Sequence, residues 1–411
     1  MSKSTENAET RGAAARILDW ADTDPAKFFE DLRKHGSPIW DDDAKAWLVL
    51  EYDQCVEAEA SEEIFGNIYM NADPILLELK GGKSNLTVSQ GEEHDRLRKF
   101  HLALLSAKAV ESYREKHVLP VLDFVFGRIV DKGCADLRTE LVQQVVPRVI
   151  CSLMGMPWRD DTQMARILKL NDDIVRFIGN NYRGEELKQT ALAASKELNE
   201  MLLPYVRERR ENPADDFISR VWQEAPAEYG DDLTEADAVA ICRELYFAAS
   251  DTTNHATSNA LYLLLTNEEA REKVDFDRKM VTNLVEEALR LYNVVQMRHR
   301  MARQDTVLGG KQIQEGEMLL MVHAAANRDP SHYECPHAMN MSRPRPAVHM
   351  AFGRGPRSCV GAQLARSEMR EMINAVIDRL PNVRLDPNGE PPKFGGGYMR
   401  SYKPLNVVWD V

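Results

Sequence analysis

Apolar residues recur along most of this chain at the i, i+3, i+4 spacing of amphipathic helices. The pattern runs from about Glu92 to Leu265, with breaks near Gly133, Pro157, Gly179, Pro213 and Gly230. Two early stretches depart from it. Ser37-Pro-Ile-Trp40 and Ala46-Trp-Leu-Val-Leu50 flank the acidic turn Asp41-Asp-Asp43 and read as a small sheet. A second β-rich zone covers Asp305 to Val322, with Gly309-Gly310 as a hairpin turn and Gly316 as another. Asn406-Val-Val-Trp409 reads as a further strand. Residues 1–16 read as a flexible tail, which leaves 17–411 for the folded part. There is no internal repeat, low-complexity tract or Pro/Ser linker. The pattern therefore predicts one large domain, mainly α with minor β.

One helix carries an internal contradiction. Thr234-x-x-Asp237 has the form of a capping box, and about 30 residues without Pro or Gly follow it. Leu245 to Ala248 and Leu261 to Leu265 look buried nearly all round. Between them, Ser250-Asp-Thr-Thr-Asn254 places five weak helix formers in the least exposed stretch. A polar stripe facing solvent explains this, and so does a local opening that holds water or a ligand.

The chain ends in a second informative helix. Val360, Leu364, Met369, Ile373, Val376, Ile377 and Leu380 form one apolar stripe that Pro381 terminates. Just before it stands Phe352-Gly-Arg-Gly-Pro-Arg-Ser-Cys359-Val-Gly361. Cys359 thus sits where a loop enters a helix, and unpaired N–H groups with the positive dipole end favour an anionic sulfur. Arg354, Arg357 and Arg366 add positive charge. A buried cysteine beside a Gly-rich turn is the plainer reading. A phosphate loop needs a preceding strand and an early βαβ unit, and this segment has neither.

Composition narrows the classes. The 411 residues are 44% hydrophobic and 28% charged, which excludes a disordered chain. No run of about 18 apolar residues predicts a membrane span. The polar start of the chain is unlike a secretory leader, so a cytoplasmic protein is expected. A net charge of −13 speaks against nucleic acid. The six cysteines, at 55, 134, 151, 242, 335 and 359, show no CxxC pair and predict free thiols.

From Phe352 to Gly361 the sequence resembles the haem-thiolate monooxygenases, the cytochrome P-450 family, whose signature is Phe-Gly-x-Gly-x-(His/Arg)-x-Cys-x-Gly. The resemblance implies the fold of that family, a single domain enclosing haem b. It makes Cys359 the iron ligand, Arg357 a haem-propionate partner and Phe352 the ring beside the sulfur, with Gly361 closing the motif. Ala248-Ala-Ser-Asp251-Thr252-Thr253 is similar to the family's central-helix signature, with Ala249 in place of the usual glycine. By that resemblance Ala248 lies against the cofactor, while Asp251 and Thr252 deliver protons. Glu287-Ala-Leu-Arg290 matches the family's Glu-x-x-Arg pair, and Arg300 follows where the family keeps another propionate-binding arginine. His94-Asp-Arg-Leu-Arg98 is similar to the family's His-x-x-x-Arg, which also meets a propionate. Ala338 stands where an arginine is usual, so the Glu287/Arg290 network is expected to be short of one member.

The implied activity is insertion of one atom of dioxygen into a small or medium hydrophobic substrate, a terpenoid or an aromatic. Its pocket is expected to include Phe247, Ala248, Val295, Met297, Tyr398 and Met399. Arg298 and Arg400 are expected at the surface. With no reductase module in the chain, electrons are expected from an external iron–sulfur ferredoxin and its NAD(P)H-dependent reductase. That ferredoxin would dock on Arg96, Lys99, Arg114, Lys116, Arg354, Arg366 and Arg370 of a monomeric enzyme. Coupling, dehydration or isomerisation on the same fold is the alternative within the enzyme class. A non-catalytic haem sensor is the alternative outside it.

Overall fold

A computed structural model describes residues 12–18, 25–68, 74–82, 85–179, 184–225, 233–396 and 399–411. The density of contacts divides the chain into two compact units. The first comprises residues 1–68, 255–359 and 382–409, and the second 69–254, 360–381 and 410–411.

The first unit is built on a five-stranded sheet in the order Ile39–Asp41, Ala46–Val49, Met318–Met321, Arg298–Ala302, Phe65–Gly66. Ala46–Val49 and Met318–Met321 run parallel, and the other neighbours are antiparallel. Alternate side chains feed two apolar clusters, as the period of two in a strand requires. Leu48 and Leu320 pack with Ile17, Phe29 and Leu32 on one face. Trp47, Val49, Leu319 and Met321 pack with Tyr52, Cys55 and Phe65 on the other. The predicted hairpin forms between Thr306–Leu308 and Lys311–Ile313. Gly309 and Gly310 both have positive φ, +53° and +74°, as the tightest hairpin turn demands. Asn406–Val408 pairs with Arg384–Leu385. The strand Arg298–Ala302 escaped the pattern because its arginines and histidine interrupt the apolar alternation.

The tail assignment fails at its inner end. Ala13–Leu18 is a helix, so the expected boundary between residues 16 and 17 falls inside it. Buried Asp41 accepts the Gly12 and Ala14 amides at 3.0 and 2.7 Å, and Ala13 and Ile17 enter the core.

The second unit is helical. Its longest elements are Asp161–Gly179, Glu185–Glu211 and the larger part of a central helix, Glu235–Thr266. The predicted capping box is reciprocal: Thr234 N donates to Asp237 Oδ2 at 3.0 Å, and Asp237 N to Thr234 Oγ1 at 3.2 Å. Pro157 and Pro213 lie between helices, Gly133 precedes the short strand Cys134–Asp136, Gly179 ends the helix Asp161–Gly179, and Gly230 lies outside the described residues. Two π-helical turns, Arg114–Val118 and Arg138–Val142, were invisible to a pattern search.

In the first unit, the helix Met280–Leu291 carries the buried pair Glu287/Arg290, bidentate at 2.7 and 2.9 Å. The expected gap in this network is closed by Arg343, whose Nε donates to Glu287 Oε1 at 3.1 Å. Ala338 still takes part through its carbonyl, which accepts Arg290 Nη2 at 2.9 Å. Arg290 also donates to the Asn327 and Pro336 carbonyls, and Glu287 accepts the Asn340 amide. The pair thereby fixes the irregular segment from Asn327 to Arg343. Glu287→Ala leaves the Arg290 charge buried and unbalanced, so it should cost about 3–5 kcal/mol in urea unfolding. Arg343→Ala, which spares the bidentate pair, should cost clearly less; equal losses would contradict this reading of the network.

Candidate active site

The Gly-rich loop of the first unit is closed by its own backbone: Cys359 N donates to Phe352 O at 2.8 Å. Gly353 and Gly355 take φ of +67° and +69° inside it. At Gly355 a Cβ would also lie 2.5 Å from Glu59 O and 2.9 Å from Ala60 Cα, so the backbones approach too closely for a side chain. The loop runs through a 3-10 turn, Gly355–Arg357, into the 18-residue helix Ala362–Arg379, capped by Gly361. Cys359 is an exposed free thiol two residues before that cap. Cys134 and Cys335 are exposed as well, while Cys55, Cys151 and Cys242 are buried, and all six are free.

Charged partners surround the loop. Arg354 N donates to Glu59 Oε2 at 2.6 Å and its Nη2 to the Tyr52 hydroxyl at 3.0 Å. Arg357, expected at a propionate, pairs with Glu62 at 2.5 Å. His323 Nε2 lies 2.7 Å from Glu59 Oε1, and His349 Nε2 lies 2.9 Å from Glu286 Oε2, all four side chains buried. Arg300 is buried on the strand Arg298–Ala302, with Nη1 donating to the His299 carbonyl at 2.9 Å. The Phe352 ring is half-buried beside His349, its centroid 6.1 Å away.

Two expected pocket residues of this unit meet. Val295 and Met399 form an isolated antiparallel bridge, and both are half-buried. Met297 is buried in the apolar cluster with Phe29 and Leu48. Tyr398 lies outside the described residues. Arg298 is half-buried near Gly353 rather than at the surface. Arg400, also expected at the surface, is fully buried and donates to the Ile17 and Phe394 carbonyls at 3.3 and 3.2 Å.

In the second unit the middle of the central helix resolves the contradiction in its sequence. Ser250, Thr253 and Asn254 are buried while Asp251 and Thr252 are half-buried, so only part of the polar stretch faces outward. Ala248 is exposed, with Phe247, Ala249, Asp251 and Thr252 half-buried around it, while Leu245 and Tyr246 are buried. The helix is open on one face at its midpoint. Ser250 and Thr252 donate their hydroxyls to the carbonyls four residues earlier, Tyr246 O at 2.8 Å and Ala248 O at 2.7 Å. Asp251 Oδ2 accepts Asn171 Nδ2 at 2.8 Å. Burial raises the Asp251 carboxyl above its usual range; the Asn171 bond offsets this, Asp172 adds to it and Arg138 opposes it.

His94 and Arg98 share one side of the helix Gly91–Leu104, the histidine buried and the arginine half-buried. His94 Nδ1 lies 3.3 Å from Asp95 Oδ1. Glu244, one turn before Ala248, accepts the Leu86 and Thr87 amides at 3.1 and 3.2 Å. Lys80 Nζ stands 5.7 Å from the centroid of the Phe247 ring. Burial lowers its pKa to about 8 against the attraction of Glu244. Of the expected basic surface, Arg96 and Lys99 are exposed; Arg114 pairs with Glu371 and Lys116 with Asp215. Sequence reading missed Glu59, Glu62, Asn171 and Arg343, which act through partners remote in the chain and carry no local pattern.

The comparisons with known proteins agree with this geometry. The Cytochrome P-450 family model matches residues 57–407. Pulcherriminic acid synthase of Bacillus subtilis is 26% identical over 386 residues, 90% of this chain and 91% of that protein. The biotin biosynthesis cytochrome P-450 of Bacillus subtilis is 28% identical over 71% of this chain and 72% of its own length. The crystal structure of CYP109E1 from Bacillus megaterium in complex with corticosterone superposes with a TM-score of 0.82 at 27% identity, covering 96% of this chain and 100% of that one. A loop that carries Cys359 into a helix, a central helix open at Ala248 and a family match over most of the chain lead to one assignment: this protein belongs to the cytochrome P-450 family, the haem b monooxygenases.

Proposed function

We propose that Cys359 would hold the iron of a haem-thiolate monooxygenase acting on a small or medium hydrophobic substrate, with electrons from a ferredoxin. The observation that carries this reading is the closed loop Phe352–Cys359, which holds an exposed sulfur directly before a helix N-terminus, where a thiolate is stabilised.

The residues present suit haem b. The open face at Ala248 and Ala249 has side chains small enough for a flat macrocycle, and Arg300 is a buried cation on the loop's own unit. His94, Arg98 and Arg300 would meet the haem carboxylates, as charge-assisted arginine contacts favour. Arg357 would do so only by sharing its guanidinium with Glu62. When bound, thiolate-ligated haem supplies dioxygen activation, the sulfur pushing electron density that favours O–O cleavage.

The chain's own part is proton handling and substrate placement. Asp251 has a raised pKa and one oxygen tied to Asn171, which leaves the other to exchange protons. Thr252 donates to Ala248 O and keeps its oxygen as an acceptor for water. Phe247 and Ala248 on the central helix of the second unit are of the apolar kind a hydrophobic substrate needs, and so, within the first unit, are Val295 and Met399 at their bridge. The corticosterone bound by CYP109E1 is in keeping with a terpenoid-sized ligand. Arg96 and Lys99 lie exposed on one helix with the exposed apolar Leu102, a combination that suits a small acidic ferredoxin. Residues from Ala13 onward would work as one monomeric catalytic domain.

Spectra, turnover, stability and reduction rates test this reading. The reduced CO complex should show the thiolate-type Soret band, and Cys359→Ser should lose it; a band that survives the substitution sinks the ligand assignment. Thr252→Ala should consume reducing equivalents without matching product, and Asp251→Asn should lower product formation by about 10²-fold. The folded-state pKa of Asp251 lies above 3.8, so its charge costs stability at neutral pH and the cost fades as pH drops toward that value. Asp251→Asn should therefore be at least as stable as wild type in urea at pH 7, and its advantage should narrow in acid. Last, Arg96→Glu with Lys99→Glu should slow ferredoxin-driven reduction by about tenfold at low salt and by less at high salt.

A further inference from the structure

Glu59 is a buried carboxylate next to the end of the helix Tyr52–Ala60, and no motif marks it. Burying a charge is costly unless every oxygen finds partners. Here Oε2 accepts the Arg354 amide at 2.6 Å, and Oε1 lies 2.7 Å from Nε2 of buried His323. Arg298 and Arg300, two apart on one strand and so on the same side, add attraction. Burial alone would raise this carboxyl; His323 and then the two arginines outweigh it and hold it at about 2. Glu59 is in turn the foremost attraction that offsets the burial of Arg300.

The backbone of the same residue is equally committed. Its carbonyl oxygen and the neighbouring Ala60 Cα occupy the space a side chain at Gly355 would need. Arg354 and Gly355 lie inside the ring of residues that the Cys359 N to Phe352 O bond closes. His349 and Glu286 brace the chain ahead of that ring, where His349 Nδ1 accepts the Ala351 amide at 3.2 Å. Glu59 is the carboxylate that reaches an amide within it.

We propose that Glu59 is a positioning residue for the thiolate: its carboxylate fixes the Cys359 loop at the Arg354 amide while neutralising part of the charge on Arg298 and Arg300. The proposal rests on Cys359 being the ligand. A loop released at Arg354 lets the sulfur drift from its place, so the thiolate-type signature is held less firmly.

The test follows the conversion of the reduced CO complex from the thiolate-type to the thiol-type Soret band in mild urea. It compares Glu59→Ala, Glu59→Asp and Glu59→Gln with Asp41→Ala. Asp41 is a buried carboxylate of the same unit that caps another helix. Glu59→Ala should convert about tenfold faster than wild type. Glu59→Gln keeps an acceptor for the amide and should stay within about threefold. Glu59→Asp keeps the charge but withdraws the acceptor, so it should convert faster than Glu59→Gln, and it carries the comparison if the alanine variant takes up no haem. Asp41→Ala should convert no faster than wild type even if its Tm falls. Wild-type rates for Glu59→Ala and Glu59→Asp, equal rates for Glu59→Gln and Glu59→Asp, or a matching acceleration in Asp41→Ala would each overturn the proposal. A wild-type protein without the thiolate band would instead overturn the ligand assignment beneath it.

Discussion

A carboxylate removed from water must be balanced where it lies, and in the first unit that demand organises a long stretch without regular structure. Glu287 satisfies it with Arg290, Arg343 and the Asn340 amide, while Arg290 gathers the carbonyls of Asn327, Pro336 and Ala338. Apart from Arg290, which shares the helix of Glu287, those partners lie in the segment that leads toward the cysteine loop. No helix or strand holds this segment in place, so the charge network does what a backbone ladder does elsewhere. The Glu286–His349 contact extends the same logic one residue along the helix.

The cysteine loop needs more than closure. Its hydrogen bond from Cys359 N to Phe352 O defines a ring, but a ring can tilt as a whole. Contact with the helix Tyr52–Ala60 removes that freedom, through the Glu59 side chain on one side and through backbone packing at Gly355 on the other. The central helix solves the opposite problem. It carries a polar, partly open middle, and there Ser250 and Thr252 satisfy their hydroxyls by donating to carbonyls of the preceding turn.

Sequence made the regular and the local features legible. The capping box at Thr234, the hairpin at Gly309-Gly310 and the strand pair around Asp41–Asp43 depend on residues a few positions apart, and each formed as the pattern requires. So did the placement of Cys359 ahead of a helix. What could not be read were partnerships over long separations. Nothing near Ala338 says that Arg343 completes the Glu287 network, and nothing near Arg357 says that Glu62 claims it. Arg400 misled for the same reason: a buried cation that donates to two backbone carbonyls looks like a surface residue until its fold is known. Ala13 to Arg16 read as tail because the residue that caps their helix, Asp41, lies well downstream.

The close approach at Gly355 also sets rules for exchange of segments. Residues 59–60, 323 and 353–355 are scattered across the chain but meet at one point through hydrogen bonds and steric exclusion. They behave as a linkage group. A chimera that takes its cysteine loop from one parent and its Tyr52–Ala60 helix from another would pair a glycine-sized gap with a mismatched neighbour. Crossovers placed outside all three segments, or inherited jointly across them, avoid that conflict.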